Sequence, residues 1–386
     1  MWRALASNML TLLVVGMFLL GGLILWGQSQ FKAEGPLETA ICLQVKSGSN
    51  MTGVSRQLED QGAISSATIF RMAADYTDKA QQLKAGSFLI PEGASMAEII
   101  DEITRSGAST CGTEIEYRIG VTRTQIRVRE LDPATLEFVE IASFVVGEED
   151  APEIYQEKRN NPDTRYRVSV AEGVTSWQVV EGLKAVDALT GEVAELPPEG
   201  MLAPDSYEIK PGDDRTALLQ QMQDKQKARI AQVWESRQDG LPIETPEEML
   251  ILASIIEKET GIPEERGQVA SVFINRLRKG MKLQTDPTVI YGVTKGQGVL
   301  GRGLRRSELR RATPWNTYLI DGLPPTPIAN PGLASLQAAV APDETDYVFF
   351  VADGTGGHAF AETLQEHNRN VAKWREIEAE RSGSGN

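Results

Sequence analysis

The sequence predicts an α+β protein with one membrane-spanning helix near its N-terminus. Three observations carry this prediction. An uncharged apolar run lies close to the N-terminus, residues 113–146 alternate apolar and polar side chains with a period of two, and residues 176–234 and 246–277 have the apolar spacing of amphipathic helices. Strands and helices that lie in separate stretches of the chain are typical of α+β folds.

The apolar run extends from Met9 to Trp26 and contains one polar residue, Thr11. It is long enough to cross the hydrocarbon core of a bilayer, and no small-x-small cleavage site follows it. We interpret it as a transmembrane helix, with a cleaved signal peptide as the alternative. Residues 1–8 would then be a short cytoplasmic segment, and the rest of the chain is expected outside the cytoplasm.

The charge and the numbers of cysteine and histidine residues exclude several classes of protein. With 54 acidic and 39 basic residues the net charge is -15, which argues against a general nucleic-acid-binding protein. Cys42 and Cys111 form one disulfide in an exported chain or remain two free thiols. His358 and His367 are too few to complete most histidine metal sites, so we expect ordinary hydrogen bonds for them, no metal and no cofactor.

Residues 40–110 are predicted to form a small α+β module. Strands are expected at residues 41–45 (ICLQV) and 86–90. Helices are expected from Asn50 to Gly62 with Ser49 as the N-cap, from near Ala67, and from Met96 to Arg105.

A β-rich segment is predicted at residues 111–166. Ile115, Tyr117 and Ile119 alternate with charged residues, which indicates a hairpin or small sheet. The acidic stretch 147–163 is expected to be a loop. Residues 167–243 are predicted to be a helical linking region, residues 244–378 a mainly helical domain, and residues 379–386 a disordered tail.

The best-bounded helix of the chain is predicted over residues 246–260. Residues 245–248 (TPEE) have the form of a capping box with Pro246 at the first helical position, and Gly261 with Pro263 forms a stop signal.

Two acids lie in the last turn of this helix. Glu257 and Glu259 are about 200° apart around the axis and therefore cannot share a face. Glu259 lies on the side of the preceding isoleucines, where burial and the negative end of the helix dipole are expected to raise its pKa. A protonated glutamic acid near neutral pH can act as a general acid. The alternative is a structural ion pair with Arg266 or Arg276.

The chain after this helix carries two polar and aromatic segments. Residues 283–292 (LQTDPTVIYG) are predicted to be a loop, and residues 315–318 read WNTY. Amides and carboxylates bind sugar hydroxyls and aromatic rings cover a sugar face, so these segments suit a hydroxyl-rich ligand.

These residues carry a resemblance to a known family. Residues 253–292 (ASIIEKETGIPEERGQVASVFINRLRKGMKLQTDPTVIYG), NTY at 316–318, GLPPTPIANPG at 322–332 and FFVADGTGGHAF at 349–360 resemble the endolytic murein transglycosylases of the MltG or YceG-like family. Residues 40–110 resemble the LysM-like subdomain of that family. The β-rich segment 111–166 is longer than the resemblance leads us to expect, and its role is open.

The resemblance implies cleavage between N-acetylmuramic acid and N-acetylglucosamine inside peptidoglycan strands, which forms a 1,6-anhydromuramoyl end. It implies that Glu259 is the catalytic acid, in a domain at residues 244–378 on the periplasmic side of the cell inner membrane. It also implies penicillin-binding proteins as partners and a role in terminating strand elongation. Gln284, Asp286, Tyr291, Asn316 and Tyr318 are the candidates for substrate binding, with packing or loop hydrogen bonding as the alternative for each.

Two other functions are kept open. Asp286 opposite Glu259 could activate water, and the protein would then be a hydrolase. A membrane-anchored scaffold that binds glycan without cleaving it is the second alternative.

Two further motifs are interpreted without a function. Residues 296–301 spell GxGxxG, but no βαβ unit surrounds them, so we expect a flexible loop rather than a dinucleotide site. The arginines between residues 302 and 311 are interpreted as a solvated helix face.

Overall fold

The computed structural model describes residues 2–105, 109–161 and 163–383, and side chains from residue 8 to residue 381 within those ranges. It contains both helices and sheets, and the chain divides into two compact units. Unit 1 comprises Met1–Ile115, Arg127–Ser143 and Ala151–Arg165, and unit 2 comprises Glu116–Ile126, Phe144–Asp150 and Tyr166–Asn386.

The first helix, α1, spans Trp2–Lys32. Its stretch Asn8–Lys32 is long and apolar enough to cross a membrane, and its large apolar side chains are exposed. The predicted N-terminal apolar helix is therefore confirmed.

Residues 41–104 of unit 1 form two antiparallel strands and three helices around one hydrophobic core that includes Leu43, Phe70 and Ile99. Cys42 and Cys111 form a disulfide, which decides between the two alternatives for these residues. The elements are β1 Ile41–Val45, α2 Met51–Asp60, α3 Ala67–Tyr76, β2 Gly86–Ile90 and α4 Met96–Thr104, close to the predicted bounds.

The cap of α2 differs from the prediction. Asn50 is the N-cap, and its Oδ1 accepts a hydrogen bond of 2.9 Å from the backbone N–H of Gly53. Ser49 lies one residue too early to bond the first free N–H groups of the helix.

The middle of the chain forms a five-stranded sheet with the order β5-β4-β3-β6-β7. The period-two pattern thus predicted the right kind of structure. The predicted loop at 147–163 was wrong in part, because it holds the short helix α5, in which Tyr155 is buried. The elements are β3 Thr113–Ile119, β4 Thr124–Asp132, β5 Glu137–Val145, α5 Glu153–Lys158, β6 Arg165–Val170 and, further along, β7 Ser206–Ile209.

Most helices of unit 2 follow the sheet. They are α6 Ser176–Lys184, α7 Arg215–Glu235, α8 Pro246–Glu259, α9 Arg266–Arg278, α10 Asp286–Thr294, α11 Arg306–Leu309, α12 Leu333–Val340 and α13 Leu364–Gly383, with a 3-10 turn at Pro263–Glu265 and the antiparallel pair β8 Phe349–Ala352 and β9 His358–Ala361.

Three predictions for unit 2 need correction. The linking region 167–243 is not wholly helical, because it contains β7 and most of β6. Residues 286–294 form α10 instead of a loop, since Asp286 and Pro287 supply a helix start. The tail is helical to Gly383, and residues 384–386 lie outside the described residues.

Helix α8 is buried on all its faces. Every residue from Met249 to Ile256 is buried, in a core shared with α7, α9 and α12. Thr245 caps the helix by accepting a bond of 3.1 Å from the N–H of Glu248, whereas the Glu248 carboxylate accepts from the N–H of Glu244 at 2.6 Å. Only half of the predicted capping box is therefore formed.

We predict that Asn50→Ala destabilises α2 by about 1 kcal/mol, because an N–H at the helix start loses its partner. Hydrogen exchange of the α2 amides, followed by mass spectrometry, is expected to speed up about fivefold. The matched control Ser49→Ala is expected to leave the exchange unchanged. Equal effects of the two substitutions would contradict the assignment of Asn50 as the cap.

Candidate active site

Three charged residues follow one another at the end of the buried helix α8, and two of them are held by backbone groups. Glu257 accepts a hydrogen bond of 2.9 Å from the N–H of Gly332, at the start of α12. Lys258 donates from Nζ to the carbonyl oxygen of Gly173 at 3.1 Å. A carboxylate at a helix N-terminus is stabilised by the helix dipole, so Glu257 has a structural role.

Glu259 is the third of these residues and has a different environment. Its Oε1 accepts a hydrogen bond from the hydroxyl of Thr285. Burial raises the pKa of the Glu259 carboxyl, the Thr285 hydroxyl partly offsets this, and the charge of Asp286 adds to the increase. The residue keeps part of its surface accessible. Glu259 is therefore a carboxylic acid with a raised pKa that a ligand can reach.

The ion pair that the sequence left open for Glu259 is absent from the described part of the chain. Arg276 is buried and donates to two backbone carbonyl groups, those of Val348 at 2.7 Å and Leu283 at 2.5 Å. Within the same described residues, Arg266 does not pair with Glu259 either. The positive charge of Arg276 still lies near enough to favour the carboxylate, but burial outweighs it.

A cluster of buried threonines positions the Thr285 hydroxyl, which donates to Glu259. The N–H of Thr285 donates to Oγ1 of Thr317 at 3.0 Å, and the hydroxyls of Thr288 and Thr317 are 2.8 Å apart. All three side chains are buried. Gln284 precedes them with φ of 46°, and its N–H donates to the carbonyl oxygen of Thr317 at 3.1 Å. These threonines were not among the predicted site residues, although they lie inside the two polar and aromatic segments at residues 283–292 and 315–318.

Asp286 and Tyr318 lie beside this cluster and form a pair. The phenol of Tyr318 donates to Oδ1 of Asp286 at 2.7 Å. Burial and the carboxylate of Asp286 raise the pKa of Tyr318, so the phenol stays protonated. The side chains of Asp286 and Gln284 are exposed and available to a ligand.

Asn316 differs from the other candidates because its amide is fully engaged by the protein. Nδ2 donates to the carbonyl oxygens of Leu309 at 3.0 Å and Arg311 at 2.8 Å, and Oδ1 accepts from the N–H of Tyr318 at 3.0 Å. The side chain is completely buried. This geometry favours the loop-hydrogen-bond alternative for Asn316.

Tyr291 belongs to a second polar group. Its phenol donates to Oε2 of Glu199 at 3.1 Å, and its ring centroid is 5.6 Å from that of Trp315. Burial raises the pKa of Glu199, although the N–H of Ser176 donates to it at 2.8 Å. Tyr291 and Lys258 both line a cavity of about 310 Å³.

The predicted side-chain hydrogen bond is present for His358 but not for His367, whose buried Nδ1 has no hydrogen-bond partner among the described residues. Nδ1 of His358 lies 2.9 Å from Oε2 of Glu265, and its backbone N–H donates to Oε1 of the same carboxylate at 2.8 Å. His367 stacks on Phe349, with ring centroids 5.0 Å apart. Within residues 2–105, 109–161 and 163–383, no group of three or more His, Cys, Asp and Glu residues could hold a metal ion.

Comparison with known proteins gives consistent matches over most of the chain. The model of the YceG-like family matches residues 43–373. An endolytic murein transglycosylase of Bacillus subtilis is 30% identical over 357 residues, which are 92% of this chain and 91% of that protein. A protein of the same name from Streptococcus pneumoniae serotype 2 is 25% identical over 86% of this chain, which spans 58% of its length.

The chain is also similar to a solved structure. The latter is the crystal structure of a yceG-like protein from Listeria monocytogenes, with 25% sequence identity and a TM-score of 0.45. The alignment covers 86% of this chain and 99% of that one.

We predict opposite effects on stability for the two acids at the end of α8. Because the pKa of Glu259 is raised in the folded protein, ionisation above about pH 4.3 costs folding free energy, and Glu259→Gln removes that cost. The substitution is expected to increase the free energy of unfolding at pH 7, with a gain that disappears below about pH 4. Glu257→Gln is expected to lower it by about 0.5 kcal/mol at pH 7. Urea denaturation of the full chain in detergent micelles between pH 4 and pH 8 tests both, and a pH-independent effect of Glu259→Gln would contradict the raised pKa.

We also predict that Asn316→Ala lowers the free energy of unfolding by about 3 kcal/mol, since it leaves two carbonyl groups and one N–H, all partly buried, without partners. Urea denaturation followed by tryptophan fluorescence measures the change. The control is Gln284→Asn, which keeps an amide that tolerates positive φ and is expected to change stability by less than about 0.5 kcal/mol. A small effect of Asn316→Ala would restore Asn316 as a candidate for direct substrate contact.

Proposed function

The chain belongs to the YceG-like family, and from this premise we propose that it is an endolytic murein transglycosylase, a lyase that acts on peptidoglycan. The bond cleaved is the one between N-acetylmuramic acid and N-acetylglucosamine within a glycan strand, and the product ends in 1,6-anhydro-N-acetylmuramic acid. The environment of Glu259 is the observation that carries this proposal, because a largely buried carboxyl with one hydroxyl partner and a raised pKa is suited to donate a proton.

In the proposed reaction Glu259 acts twice. As an acid it gives its proton to the glycosidic oxygen, and the bond between that oxygen and C1 of the muramic residue breaks as the N-acetylglucosamine hydroxyl leaves. The C6 hydroxyl of the same muramic residue then forms a bond to C1, and its proton returns to the Glu259 carboxylate. No water is consumed, so one acid is sufficient. The Thr285 hydroxyl stabilises the carboxylate in the interval between the two proton transfers.

The remaining candidates take two roles in this proposal. The first role is to bind the sugars around the cleaved bond. It belongs to Gln284 and Asp286, which flank Thr285 in the chain, and to Tyr318, which donates a hydrogen bond to Asp286. Tyr291 contributes to binding through the cavity that it lines. Asn316 positions Tyr318, because its Oδ1 accepts a hydrogen bond from the backbone N–H of Tyr318.

A hydrolase is the second candidate function, because Asp286 is an exposed carboxylate whose charge acts on Glu259. If Asp286 activated water at C1, the product would have a reducing end and would contain one more water.

The domain organisation belongs to the same proposal. Residues 40–110 form a LysM-like subdomain, residues 111–166 a β-rich insert, residues 167–243 a linking region and residues 244–378 the catalytic domain. Helix α1 anchors the chain in the cell inner membrane by a single pass, with the catalytic domain in the periplasm, and its apolar surface supports this role. Near penicillin-binding proteins, such an enzyme would terminate the elongation of nascent strands.

We predict that the full chain in detergent micelles releases muropeptides one water lighter than hydrolysis products from isolated sacculi, as measured by mass spectrometry. Glu259→Gln is expected to lower the rate at least about 100-fold, because the proton donor is lost. Glu257→Gln is the matched control and is expected to retain most of the activity.

Other outcomes separate the alternatives. Reducing-end products that disappear in Asp286→Asn would identify a hydrolase. Binding of sacculi without released products would favour the non-catalytic scaffold.

A further inference from the structure

The cavity lined by Lys258 lies next to a second one of about 240 Å³. The two cavities share four lining residues, which are Val121, Gln178, Gly298 and Val299. The first is also lined by Lys258, the neighbour of Glu259 in the chain, and the second by Arg123 and Trp177. The two cavities together form a groove that runs from Lys258 and Pro287, the chain neighbours of Glu259 and Asp286, to the turn between β3 and β4 and the start of α6.

Part of the wall that the two cavities share comes from the glycine-rich run at residues 296–301, of which Gly298 and Val299 line both cavities. Gly296, Gly298 and Gly301 have φ of 73°, 94° and 67°, which a side chain would disfavour. The carbonyl oxygen of Gly296 accepts a bond of 2.6 Å from the hydroxyl of Thr175, the N-cap of α6. The GxGxxG motif thus has a structural use in this groove, and its Val299 leaves an apolar side chain half exposed at the wall.

The other two shared lining residues, Val121 and Gln178, are held in place by the same helix start. Gln178 accepts from the N–H of Thr175 at 2.8 Å and donates to the carbonyl oxygen of Val121 at 2.6 Å. These bonds fix the turn at residues 120–124 to α6. The groove is therefore formed in part by residues of the β-rich segment 111–166, whose role the sequence left open.

The charges of the groove are opposite in sign to those of the whole chain. The chain has a net charge of -15, yet the two cavities are lined by Arg123, Lys258 and Arg302 against one acid, Glu181. An anionic ligand is therefore favoured there.

Three of these four charges already have partners. Lys258 donates to a backbone carbonyl, Arg302 pairs with Glu308 at 2.6 Å, and Glu181 pairs with Lys184 at 2.6 Å. The exposed Arg123 forms no side-chain hydrogen bond or ion pair with the described residues. Its guanidinium can therefore bind a carboxylate with two parallel hydrogen bonds.

We propose that the second cavity is a subsite for the next peptide-bearing disaccharide of the glycan strand, and that Arg123 binds a carboxylate of its stem peptide. This inference rests on the proposed function for the identity of the ligand. Trp177 supplies the aromatic surface that sugar rings require in this subsite. The β-rich segment then contributes directly to substrate selection.

Equilibrium binding tests the subsite without depending on cleavage. The full chain with Glu259→Gln, in detergent micelles, is titrated with three probes. They are uncross-linked glycan strands that carry stem peptides, the same strands stripped of stem peptides by an amidase, and chitohexaose, which has N-acetylated β-1,4 sugars and no carboxylate. Two double variants are compared, in which Arg123→Ala or Arg118→Ala is combined with Glu259→Gln. Arg118 is the matched control because it is an exposed arginine on β3 that lines neither cavity.

We expect Arg123→Ala to weaken binding of the peptide-bearing strands about tenfold and binding of chitohexaose less than twofold, since only the former presents a stem carboxylate. Arg118→Ala is expected to change neither by more than twofold. Equal effects of the two substitutions, or no binding of peptide-bearing strands, would overturn the proposal. An equal loss for stripped strands would also overturn it, because the carboxylate would then be the lactyl group of the sugar. Failure of the cleavage assay with intact binding would reject the enzyme and leave the subsite supported.

Discussion

The burial of helix α8 is the constraint on which the candidate site depends. Because no face of this helix meets water between Met249 and Ile256, the three charged residues at its end emerge from a hydrophobic core rather than from a polar surface. A charge in such a place loses hydration, and this costs free energy unless the fold supplies a hydrogen-bond partner. Glu257 and Lys258 receive backbone groups from other segments of unit 2, whereas Glu259 receives one hydroxyl.

This difference in partners explains why neighbouring residues of the same helix have different chemistry. Glu257 accepts a hydrogen bond from a backbone N–H at a helix start. The hydroxyl of Thr285 can donate to an anion or accept from an acid, so it is compatible with both protonation states of Glu259. The threonine cluster that holds Thr285 is buried and neutral, and it therefore adds no charge that would fix Glu259 in one state.

The sequence predicted the elements better than the contacts between them. Strong local signals, such as the proline after Thr245 and the period-two run, gave the right kind of structure. The argument for Glu259 assumed one apolar face, but Ser254 on the other side is buried too, where its hydroxyl donates to Ile251 and accepts from the N–H of Ile328. The partners of the two acids come from residues 26 and 75 positions away, which no periodicity could reveal. Helix α10 was missed although Asp286 and Pro287 signal its start, because its polar and aromatic composition was interpreted as a loop.

The pKa of Glu259 results from burial, which raises it, and from nearby partners such as the Thr285 hydroxyl, which lower it, and the proposed reaction tolerates only limited changes in either. More complete burial would raise the pKa further and make the acid a poorer proton donor to the glycosidic oxygen, whereas an ion pair with Arg276 would lower the pKa and leave no proton to donate. Arg276 is kept from that pair by the two carbonyl groups that it binds. A single carboxyl can therefore serve first as acid and then as base only if it forms no ion pair and accepts a hydrogen bond from a neutral hydroxyl.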